Sequence, residues 1–502
     1  MMGRIAAPRA ADVAAPPPAD LGWRPALVVL GLGLLAWCLL FSEEIGAAVR
    51  VWNASTAYNH CWLIAPIAAW LFWQRRHRLD GLAPAPLPLA ALLAIPGALA
   101  WLVAERLGIM EGRQLVAFGL AQVLVLAVLG WPFVRAFIGP LAYLVFLVPF
   151  GGFAVGPLQH ITARFIDIGL GVLGITHFTD GLLIETPTGL FHVAEACAGL
   201  RFIIAALAFG ALYALVIFRS FWRRAIVMGL ALVVPVVANG IRALGIVVAA
   251  EYLGSAQAAA ADHIIYGWGF FSAVILLLIL AGLPFREDSS PPASAPPALP
   301  PQPAKAARLA VAGVLSVALG ASGPALAAGL AQGVGAPAVI TPRLAAPQGC
   351  EANAAGTELA CEGVIVSARL LVFAPRVTWS AVSAARWEAI GGSDTVVTYD
   401  LPMRGGGAWQ VRQGNATTDS LALAAWLDGH ATGGGLSARI AQARNSLLGG
   451  GGAPVLAMVD LRADPAQPAV VDTRRDRAVL EAVLAAQAHT LMAEAASLSR
   501  GR

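Results

Sequence analysis

Long uncharged stretches dominate the first two thirds of the chain. They occupy residues 25–42, 60–74, 82–104, 114–134, 136–163, 202–218, 225–241, 264–285 and 309–342. A helix needs about 20 apolar residues to cross the hydrocarbon of a bilayer, so most of these stretches predict transmembrane helices. The stretch 136–163 contains Pro149 and Pro157, which predict a span ending near Phe150 and a separate helix at about 157–175. The polar residues of that second helix place it at the membrane interface.

Composition supports the same class of protein. Hydrophobic residues make up 58% of the 502 residues, charged residues make up 12%, and the mean hydropathy is +0.73. Soluble domains carry about 25% charged residues, and disordered chains combine low hydrophobicity with high net charge, so both classes are excluded. The net charge of +4 is too small and too scattered to indicate nucleic-acid binding. The five cysteines are too few for a disulfide scaffold.

Basic residues cluster in alternate loops of the predicted bundle. The clusters contain Arg4, Arg9, Arg24, Arg75, Arg76, Arg78, Arg135, Arg219, Arg223, Arg224, Arg286, Lys305 and Arg308. Short loops rich in Lys and Arg stay on the cytoplasmic side, and a cytoplasmic N-terminus puts all of these clusters there. The intervening loops are far less basic and fall outside; their charged residues are Glu43, Glu44, Arg50, Glu105, Arg106 and Glu111.

A proline-rich segment divides the chain. Seven prolines lie within residues 289–303, which predicts an extended linker. Charged residues become frequent from residue 343 onward, which is typical of a folded soluble domain. The sequence therefore predicts an all-α polytopic membrane bundle of about eight core helices, a ninth transmembrane helix and a small α+β soluble domain. The expected boundaries are a cytoplasmic tail at 1–24, a membrane domain at 25–285, a cytoplasmic linker at 286–305, a ninth helix at 306–331 and an extracytoplasmic domain at 332–502.

Strand-like and helix-like patterns alternate in the C-terminal region. The predicted strands are 364–372, 395–399 and 455–459, and the predicted helices are 418–429, 436–447 and 475–498. Cys350 and Cys361 flank a turn-rich segment, so they form either a local disulfide in an oxidising compartment or two free thiols. Four tryptophans are either core residues or the lining of a glycan or peptide groove: Trp379, Trp387, Trp409 and Trp426. We expect this domain to present a substrate or an acceptor.

Three side chains able to carry chemistry converge on one face of the predicted membrane domain. Cys197 begins the sixth span, Arg242 lies in the outer third of the seventh, and His263 begins the eighth. A cysteine in a span is often an inert small hydrophobe, and a histidine at a helix start often only contacts the interface. An arginine in an apolar run costs about 2.5–3.5 kcal/mol on insertion scales and usually marks function, although it can also snorkel to the interface.

Further polar residues flank these three. Asn239 precedes Arg242 by three positions and shares its helix face, where it can orient the guanidinium. Arg201 follows Cys197 by one turn and can lower the thiol pKa or bind a substrate backbone. The stretch 182–193 predicts a hairpin outside the membrane that leads into Cys197. Structural roles are expected for His60 and His192, no partner is evident for His177, and the histidine spacing predicts no metal site.

Taken together, these motifs resemble the exosortases, a family of membrane-embedded transpeptidases that includes the archaeosortases. The resemblance covers about residues 25–285. It rests on residues 195–201 (EACAGLR), 239–242 (NGIR) and 263–271 (HIIYGWGFF), with 52–60 (WNASTAYNH) and 74–78 (QRRHR) upstream. Each motif alone is weak, whereas the set in the family's order at the expected span ends is specific.

The resemblance implies a cysteine transpeptidase or endopeptidase of a bacterial inner membrane, without a cofactor. Cys197 would be the nucleophile, His263 the proton shuttle, and Arg242 the group that stabilises the oxyanion or orients the substrate. The implied substrates are exported proteins with a C-terminal signal made of a short motif, a transmembrane helix and a basic tail. They would pass through a thioester to an unknown surface acceptor, in connection with exopolysaccharide.

Two alternatives remain open from the sequence. One is hydrolysis of the thioester without transfer. The other is a transporter or polysaccharide-export subunit in which Arg242 binds an anionic substrate. Transporters usually contain internal repeats and polar residues near the midplane, neither of which is evident here.

Overall fold

A computed structural model describes most of the chain. The described residues are 22–80, 82–253, 269–287, 305–390, 396–403, 406–414, 419–449, 451–466 and 472–500. The chain forms two compact units, one made of Met1–Ala94 with Phe118–Ala318 and the other of Ile95–Ala117 with Leu319–Arg502. His263 and the proline-rich linker at 289–303 lie outside the described residues.

Helices make up most of the described part of residues 22–331. They are α1 (Trp23–Leu40), α2 (Ser42–Ala54), α3 (Cys61–Gln74), α4 (Ala94–Arg106), α5 (Met110–Tyr143), α6 (Val155–Val172), α7 (Leu200–Ile217), α8 (Phe221–Leu253), α9 (Phe270–Gly282) and α10 (Ala306–Ala331). Helix α10 lies at the position predicted for the ninth span, and α6 confirms the separate helix predicted at 157–175. Helix α2, which carries Glu43 and Glu44 in its first turn, was not predicted.

Six helical segments among the described residues are long and apolar enough to cross a membrane. They are Trp23–Leu40, Pro88–Arg106, Met110–Leu147, Glu195–Ile217, Phe221–Tyr252 and Ala306–Ala331. Cys61–Gln74 and Phe270–Phe285 are shorter apolar helices at the positions of the predicted second and eighth spans. The chain therefore contains a polytopic membrane bundle, as the hydropathy pattern predicts.

The segment Met110–Leu147 contains the predicted fourth and fifth spans. It breaks at Gly130, where φ is 82° and a Cβ would lie 2.1 Å from the carbonyl oxygen of Ala85, so only glycine fits. After the break, Phe137 stacks on Phe72 near the end of α3. Farther along the chain, the carbonyl oxygen of Phe146 accepts a hydrogen bond from Cys61 at the start of α3. Residues 137–146 therefore run antiparallel to α3, as a separate fifth span requires.

Several basic turns meet at one end of the first unit. Arg78 donates to the carbonyl oxygen of Ala136, and Arg75 donates to that of Leu215 near the end of α7. Burial, followed by repulsion from Arg78 and Arg224, lowers the pKa of Arg75. Three arginine clusters that the sequence assigns to the cytoplasm thus share one end of the bundle. The side of the membrane on which this end lies stays a prediction.

A small sheet precedes Cys197 in the first unit. Its antiparallel strands are β1 (Phe178–Asp180), β2 (Leu183–Thr186) and β3 (Gly189–His192), which confirms the predicted hairpin and adds one strand. The hydroxyl groups of Thr186 and Thr188 donate to the Glu251 carboxylate at 3.3 and 2.6 Å. The hairpin tip is therefore held against the end of α8.

The second unit contains a large antiparallel sheet with the strand order β5-β6-β7-β12-β10-β9-β8. Strand β4 also pairs with β7, and β11 also pairs with β10. The strands are β4 (Ala338–Ile340), β5 (Cys350–Ala352), β6 (Glu358–Cys361), β7 (Val364–Val372), β8 (Val396–Pro402), β9 (Ala408–Gly414), β10 (Ser420–Leu427), β11 (His430–Thr432) and β12 (Val455–Ala463). The helices are α11 (Trp379–Ile390), α12 (Leu436–Leu448), α13 (Thr473–Ala486) and α14 (Leu491–Ser499).

Helices cover both faces of this sheet. One core joins Ala422, Ala424 and Trp426 of β10 to α13 and α14, and a second core joins Leu421 and Leu423 to α11 and α12. The helix predicted at 418–429 is wrong, because β10 occupies this position. A strand buried on both faces lacks the alternation of apolar and polar residues that identifies a strand. It ends at Asp428-Gly429, where both φ angles are positive, as in a two-residue hairpin turn.

The other elements predicted for this domain are confirmed. Strands β7, β8 and β12 and helix α12 match their predicted positions, while the helix predicted at 475–498 is divided into α13 and α14. Cys350 and Cys361 lie opposite each other on β5 and β6 and form the disulfide. Trp379, Trp409 and Trp426 are 2% exposed and belong to the cores, whereas Trp387 is 72% exposed.

Arg106, a buried arginine at the end of α4, binds several residues of the second unit. Arg106 is 1% exposed and forms an ion pair with Glu105. Its guanidinium also donates to the Ser446 hydroxyl at 3.0 Å and to the carbonyl oxygens of Ala327 and Arg376 at 3.2 Å. These contacts bring residues 95–117 into the same unit as the C-terminal domain, an arrangement that the hydropathy pattern does not reveal.

Candidate active site

Cys197 lies in a short turn between the small sheet and α7. The turn is a 3-10 helix, Glu195–Ala198, and the Cys197 backbone N–H donates to the carbonyl oxygen of Ala194 at 2.9 Å. Gly199 follows with a φ of 74° and caps the N-terminus of α7. The side chain of Cys197 is half-buried. The nucleophile predicted from the sequence therefore stands just before a helix N-terminus, where the helix dipole favours negative charge.

A polar network holds the Cys197 backbone. The Asn239 amide nitrogen donates to the carbonyl oxygen of Cys197 at 2.7 Å and to the Thr162 hydroxyl at 3.2 Å. The Thr162 hydroxyl also approaches the Cys197 carbonyl oxygen, at 3.5 Å. Asn239 is 1% exposed and Thr162 is 3% exposed. Helices α6 and α8 thus position the turn through buried hydrogen bonds.

Gly199 makes this network possible. A Cβ at this residue would lie 2.5 Å from the Asn239 side-chain carbon, closer than real Cβ contacts come. Its left-handed conformation is also one that other residues rarely adopt. Both constraints act at the third residue of the CAG sequence that begins with Cys197, so the glycine lets α8 approach the reactive turn closely.

Aromatic stacking joins the Cys, Arg and His motifs. Phe202 of α7 stacks face to face on Phe271 of α9, with ring centroids 3.4 Å apart. The guanidinium carbon of Arg242 lies 5.8 Å from the Phe202 ring centroid, and that of Arg201 lies 4.6 Å from it. Arg242 is 3% exposed. Phe271, the last residue of the sequence motif that begins at His263, therefore lies beside Phe202, whereas His263 itself lies outside the described residues.

These groups give the site a defined chemical capacity. A half-buried thiol can act as a nucleophile, and guanidinium groups held over an aromatic face can stabilise an anion that develops nearby. Cys197 packs against an apolar cluster that includes Ala243, the neighbour of Arg242 on α8. That shell excludes water from one side of the turn, and electrostatic interactions are stronger where water is excluded.

Sequence reasoning missed two residues of this site. Thr162 follows Gln159 by three positions on α6, and both are buried, so their shared helix face was the available signal. Phe202 carried no signal, because one aromatic residue in a span is ordinary. Asn239 was expected to orient Arg242, and that role stays a prediction, whereas its observed contacts are with Cys197 and Thr162.

A second polar group lies at the far end of α6. The His177 ring contacts Asp167 at 3.2 Å, and the Thr179 hydroxyl donates to the same carboxylate at 2.8 Å. The hydrogen bond from Thr179, together with His177, lowers the pKa of Asp167. His177 therefore has the partner that the sequence did not reveal. Among the described residues, no group of three or more His, Cys, Asp or Glu side chains could hold a metal ion.

Comparison with known proteins gives one match. Residues 52–280 match the family model described as transmembrane exosortase. No curated protein matches the chain, and no solved structure matches it. The matched region includes Cys197, Arg242 and His263, whose catalytic roles stay predictions. Residues 52–280 of this chain therefore belong to the transmembrane exosortase family, and membership of that family supports a membrane transpeptidase in general terms.

Proposed function

We propose that this protein is a membrane-embedded cysteine transpeptidase that cleaves a C-terminal sorting signal of exported proteins. One observation above all supports this function, namely the half-buried Cys197 thiol in a turn held by Asn239 within the region of the family match. The signal would consist of a short motif, a transmembrane helix and a basic tail. The cleaved protein would pass to a surface acceptor associated with exopolysaccharide.

The first step forms a thioester. The Cys197 thiolate attacks the carbonyl carbon of the scissile peptide bond, and Arg242 stabilises the oxyanion that develops on the carbonyl oxygen. The carbon–nitrogen bond then breaks, and protonated His263 gives its proton to the leaving amine. The substrate remains attached to Cys197 through a carbon–sulfur bond, while its C-terminal helix is released.

The second step transfers the substrate. Neutral His263 removes a proton from the acceptor nucleophile, which attacks the thioester carbonyl carbon. The carbon–sulfur bond breaks and the Cys197 thiolate is regenerated. Water in place of the acceptor would give hydrolysis, and product analysis distinguishes the two outcomes. All of these steps use protein side chains, so the mechanism needs no cofactor.

The location of the protein follows from the same proposal. The membrane domain would lie in a bacterial inner membrane with its N-terminus in the cytoplasm, and the C-terminal domain would lie in the periplasm. The Cys350–Cys361 disulfide is typical of an oxidising compartment and supports this orientation. We assign substrate or acceptor presentation to the C-terminal domain, in which the exposed Trp387 is the one tryptophan of the four outside the cores.

The family match favours transpeptidation over transport. In a transporter or export subunit, Arg242 would bind a migrating anion from a water-filled path. Arg242 is instead 3% exposed, and its guanidinium lies over the Phe202 ring beside the cysteine motif.

A trapping experiment tests the function. The full chain is reconstituted in vesicles with a peptide that carries a sorting signal from the same genome, and the mass of the intact protein is measured. We expect an acyl adduct on Cys197 in the wild type and none in Cys197→Ala. Arg242→Ala and His263→Ala should slow cleavage by about 10²–10³-fold. Cys38→Ala is the matched control, because Cys38 is an exposed free thiol on α1 and should leave the rate unchanged. Full activity in Cys197→Ala would refute the thioester mechanism.

A further inference from the structure

An open apolar groove lies between α8 and α9. Its volume is about 910 Å³, and Tyr213 of α7 and Phe218, the residue after α7, contribute to its lining. The Tyr213 hydroxyl donates to the carbonyl oxygen of Ile279, and Gly282 of α9 packs on the Tyr213 ring. Helix α9 is thus anchored to α7, and α8 provides the opposite wall of the groove.

Each wall of the groove is a stripe at helical spacing. On α8 the stripe is Ile226, Leu230, Val233, Val237 and Ile241, with steps of three or four residues. All five are exposed apolar side chains. Residues at such spacing lie on one face of a helix. This face of α8 therefore lacks a covering helix among the described residues, although it has the composition of a helix-packing surface.

The opposite wall repeats this pattern on α9. Phe270, Val274, Leu277 and Ala281 line the groove at steps of three or four residues. Leu277 is 65% exposed. Two parallel apolar stripes with a channel between them form a groove into which one further helix can pack.

The groove has the length of a membrane span. Its lining on α8 extends from Arg223 to Ile241, and 18 steps of 1.5 Å correspond to about 27 Å. The hydrocarbon core of a bilayer is about 30 Å thick. A helix of about 10 Å diameter and this length occupies about 2,100 Å³, so the groove holds somewhat less than half of one helix. The acyl chains of a single lipid reach across only one leaflet, whereas a transmembrane helix fills the whole length.

One end of the groove meets the candidate active site. Ile241 precedes Arg242, and Phe270 precedes Phe271, whose ring stacks on Phe202. The opposite end lies at Arg223 and Phe285. A helix seated in the groove would therefore place the residues just beyond its end beside Arg242.

We propose that the groove between α8 and α9 binds the transmembrane helix of the sorting signal during cleavage. This inference rests on the proposed function, since it names the part of the substrate that the membrane domain recognises. Binding of the helix limits the position of the scissile bond along the membrane normal. The groove thereby selects substrates by the distance between the helix end and the bond that is cut.

Photocrosslinking tests the groove separately from the chemistry. The full-length Cys197→Ala protein carries a photoreactive amino acid at Val233 or Leu277. Leu232 and Leu276 are the matched controls, because they are adjacent and similarly exposed but do not line the groove. The probe is a tagged protein that ends in one Leu/Ala helix of about 20 residues and a run of arginines. Both proteins are reconstituted in phosphatidylethanolamine and phosphatidylglycerol vesicles.

We expect the crosslinking yield from the groove positions to exceed that from the control positions by about tenfold. Equal yields at all four positions would overturn the proposal, as would a crosslink to a second copy of the chain in place of the probe. If the trapping experiment gives a thioester on wild-type Cys197 but the groove positions do not crosslink, helix binding in the groove is refuted and the proposed function is not. If the groove positions crosslink but no thioester forms in the trapping experiment, helix binding is supported and the proposed chemistry is refuted.

A filling substitution gives an independent readout. Val233→Trp should slow cleavage of a helix-bearing substrate by about tenfold or more, because the indole occupies the space of the bound helix. Labelling of Cys197 by a small thiol reagent should stay unchanged. Leu232→Trp should change neither quantity. Unaltered cleavage in Val233→Trp would overturn the assignment of the groove.

Discussion

Gly199 offers a direct test of how the reactive turn is positioned. The substitution Gly199→Ala introduces a Cβ 2.5 Å from the side-chain carbon of Asn239, which donates to the carbonyl oxygen of Cys197. Either the amide or the turn must therefore move. We expect the variant to insert into the membrane and to lose most of its cleavage activity.

The loss of stability expected in Gly199→Ala has two separable parts. Placing an alanine in the left-handed region costs about 1–2 kcal/mol of stability. Gly174 isolates this part, because its φ is 68° and a Cβ there would meet no heavy atom within 4 Å. Gly199→Ala adds the loss of the Asn239–Cys197 hydrogen bond, worth about 0.5–1.5 kcal/mol. A displacement of the nucleophile by about 1 Å can reduce the rate by about 10²-fold.

Two measurements distinguish these parts. The melting temperature in detergent should fall in both Gly199→Ala and Gly174→Ala, whereas the cleavage rate should fall only in Gly199→Ala. Adding Asn239→Ala to Gly199→Ala relieves the clash, so the two substitutions together should cost less stability than the sum of their separate effects. If Gly199→Ala cleaves substrate within about threefold of the wild-type rate, the Asn239 contact does not position Cys197.

Three further predictions concern stability. Backbone N–H groups of Ser220 and Arg219 hold the pKa of Glu287 low, so its stabilising effect is present at neutral pH and is lost as pH falls through that lowered pKa. Glu287→Gln should therefore melt below the wild type at pH 7, and a difference that persists at acid pH would contradict this reasoning. Arg106→Met should lower the free energy of unfolding by about 3–5 kcal/mol and make the C-terminal domain more sensitive to protease. An unchanged free energy of unfolding would show that the buried ion pair does not stabilise the protein. Replacing Cys350 and Cys361 by serine should lower the free energy of unfolding of the second unit by about 3 kcal/mol, because the disulfide closes a loop with a sequence separation of 11 residues. Denaturant unfolding measures this loss, and an unchanged midpoint would show that the disulfide does not stabilise the unit.

The membrane region was predictable because the bilayer imposes a length on each helix. A helix was predicted at about 306–331 and is observed at Ala306–Ala331, and a separate fifth span was predicted within the segment Met110–Leu147. Its start was predicted at about residue 136, whereas the helical segment breaks at Gly130, because the position of the break depends on the close approach of Ala85. Such an approach depends on tertiary packing, which hydropathy does not encode.

In the C-terminal domain, the local pattern of apolar residues fails to predict the secondary structure of one strand. Strand β10 was predicted as a helix because its residues are apolar on both faces and rich in alanine and leucine. Only the Asp428-Gly429 pair indicates a hairpin, and it lies after the strand. The correct reading needs the neighbouring strands, which cover both edges of β10 and leave its two faces to the helices.

The candidate active site was predictable in part, from the arrangement of the spans, and in part depends on tertiary packing. Alternation of the spans was sufficient to bring Cys197 and Arg242 to one end of the bundle, because Cys197 precedes the start of α7, Arg242 lies toward the end of α8, and consecutive spans run in opposite directions. The side chains that surround these two residues depend on the rotation of each helix about its own axis, which a single sequence leaves open. Thr162 and Phe202 lie on the faces that this rotation turns inward, and of the two only Thr162 had a sequence signal, through its spacing from Gln159. Gly199 shows the same limit, because the sequence reveals a glycine after Cys197 but not the close approach of Asn239 that requires it.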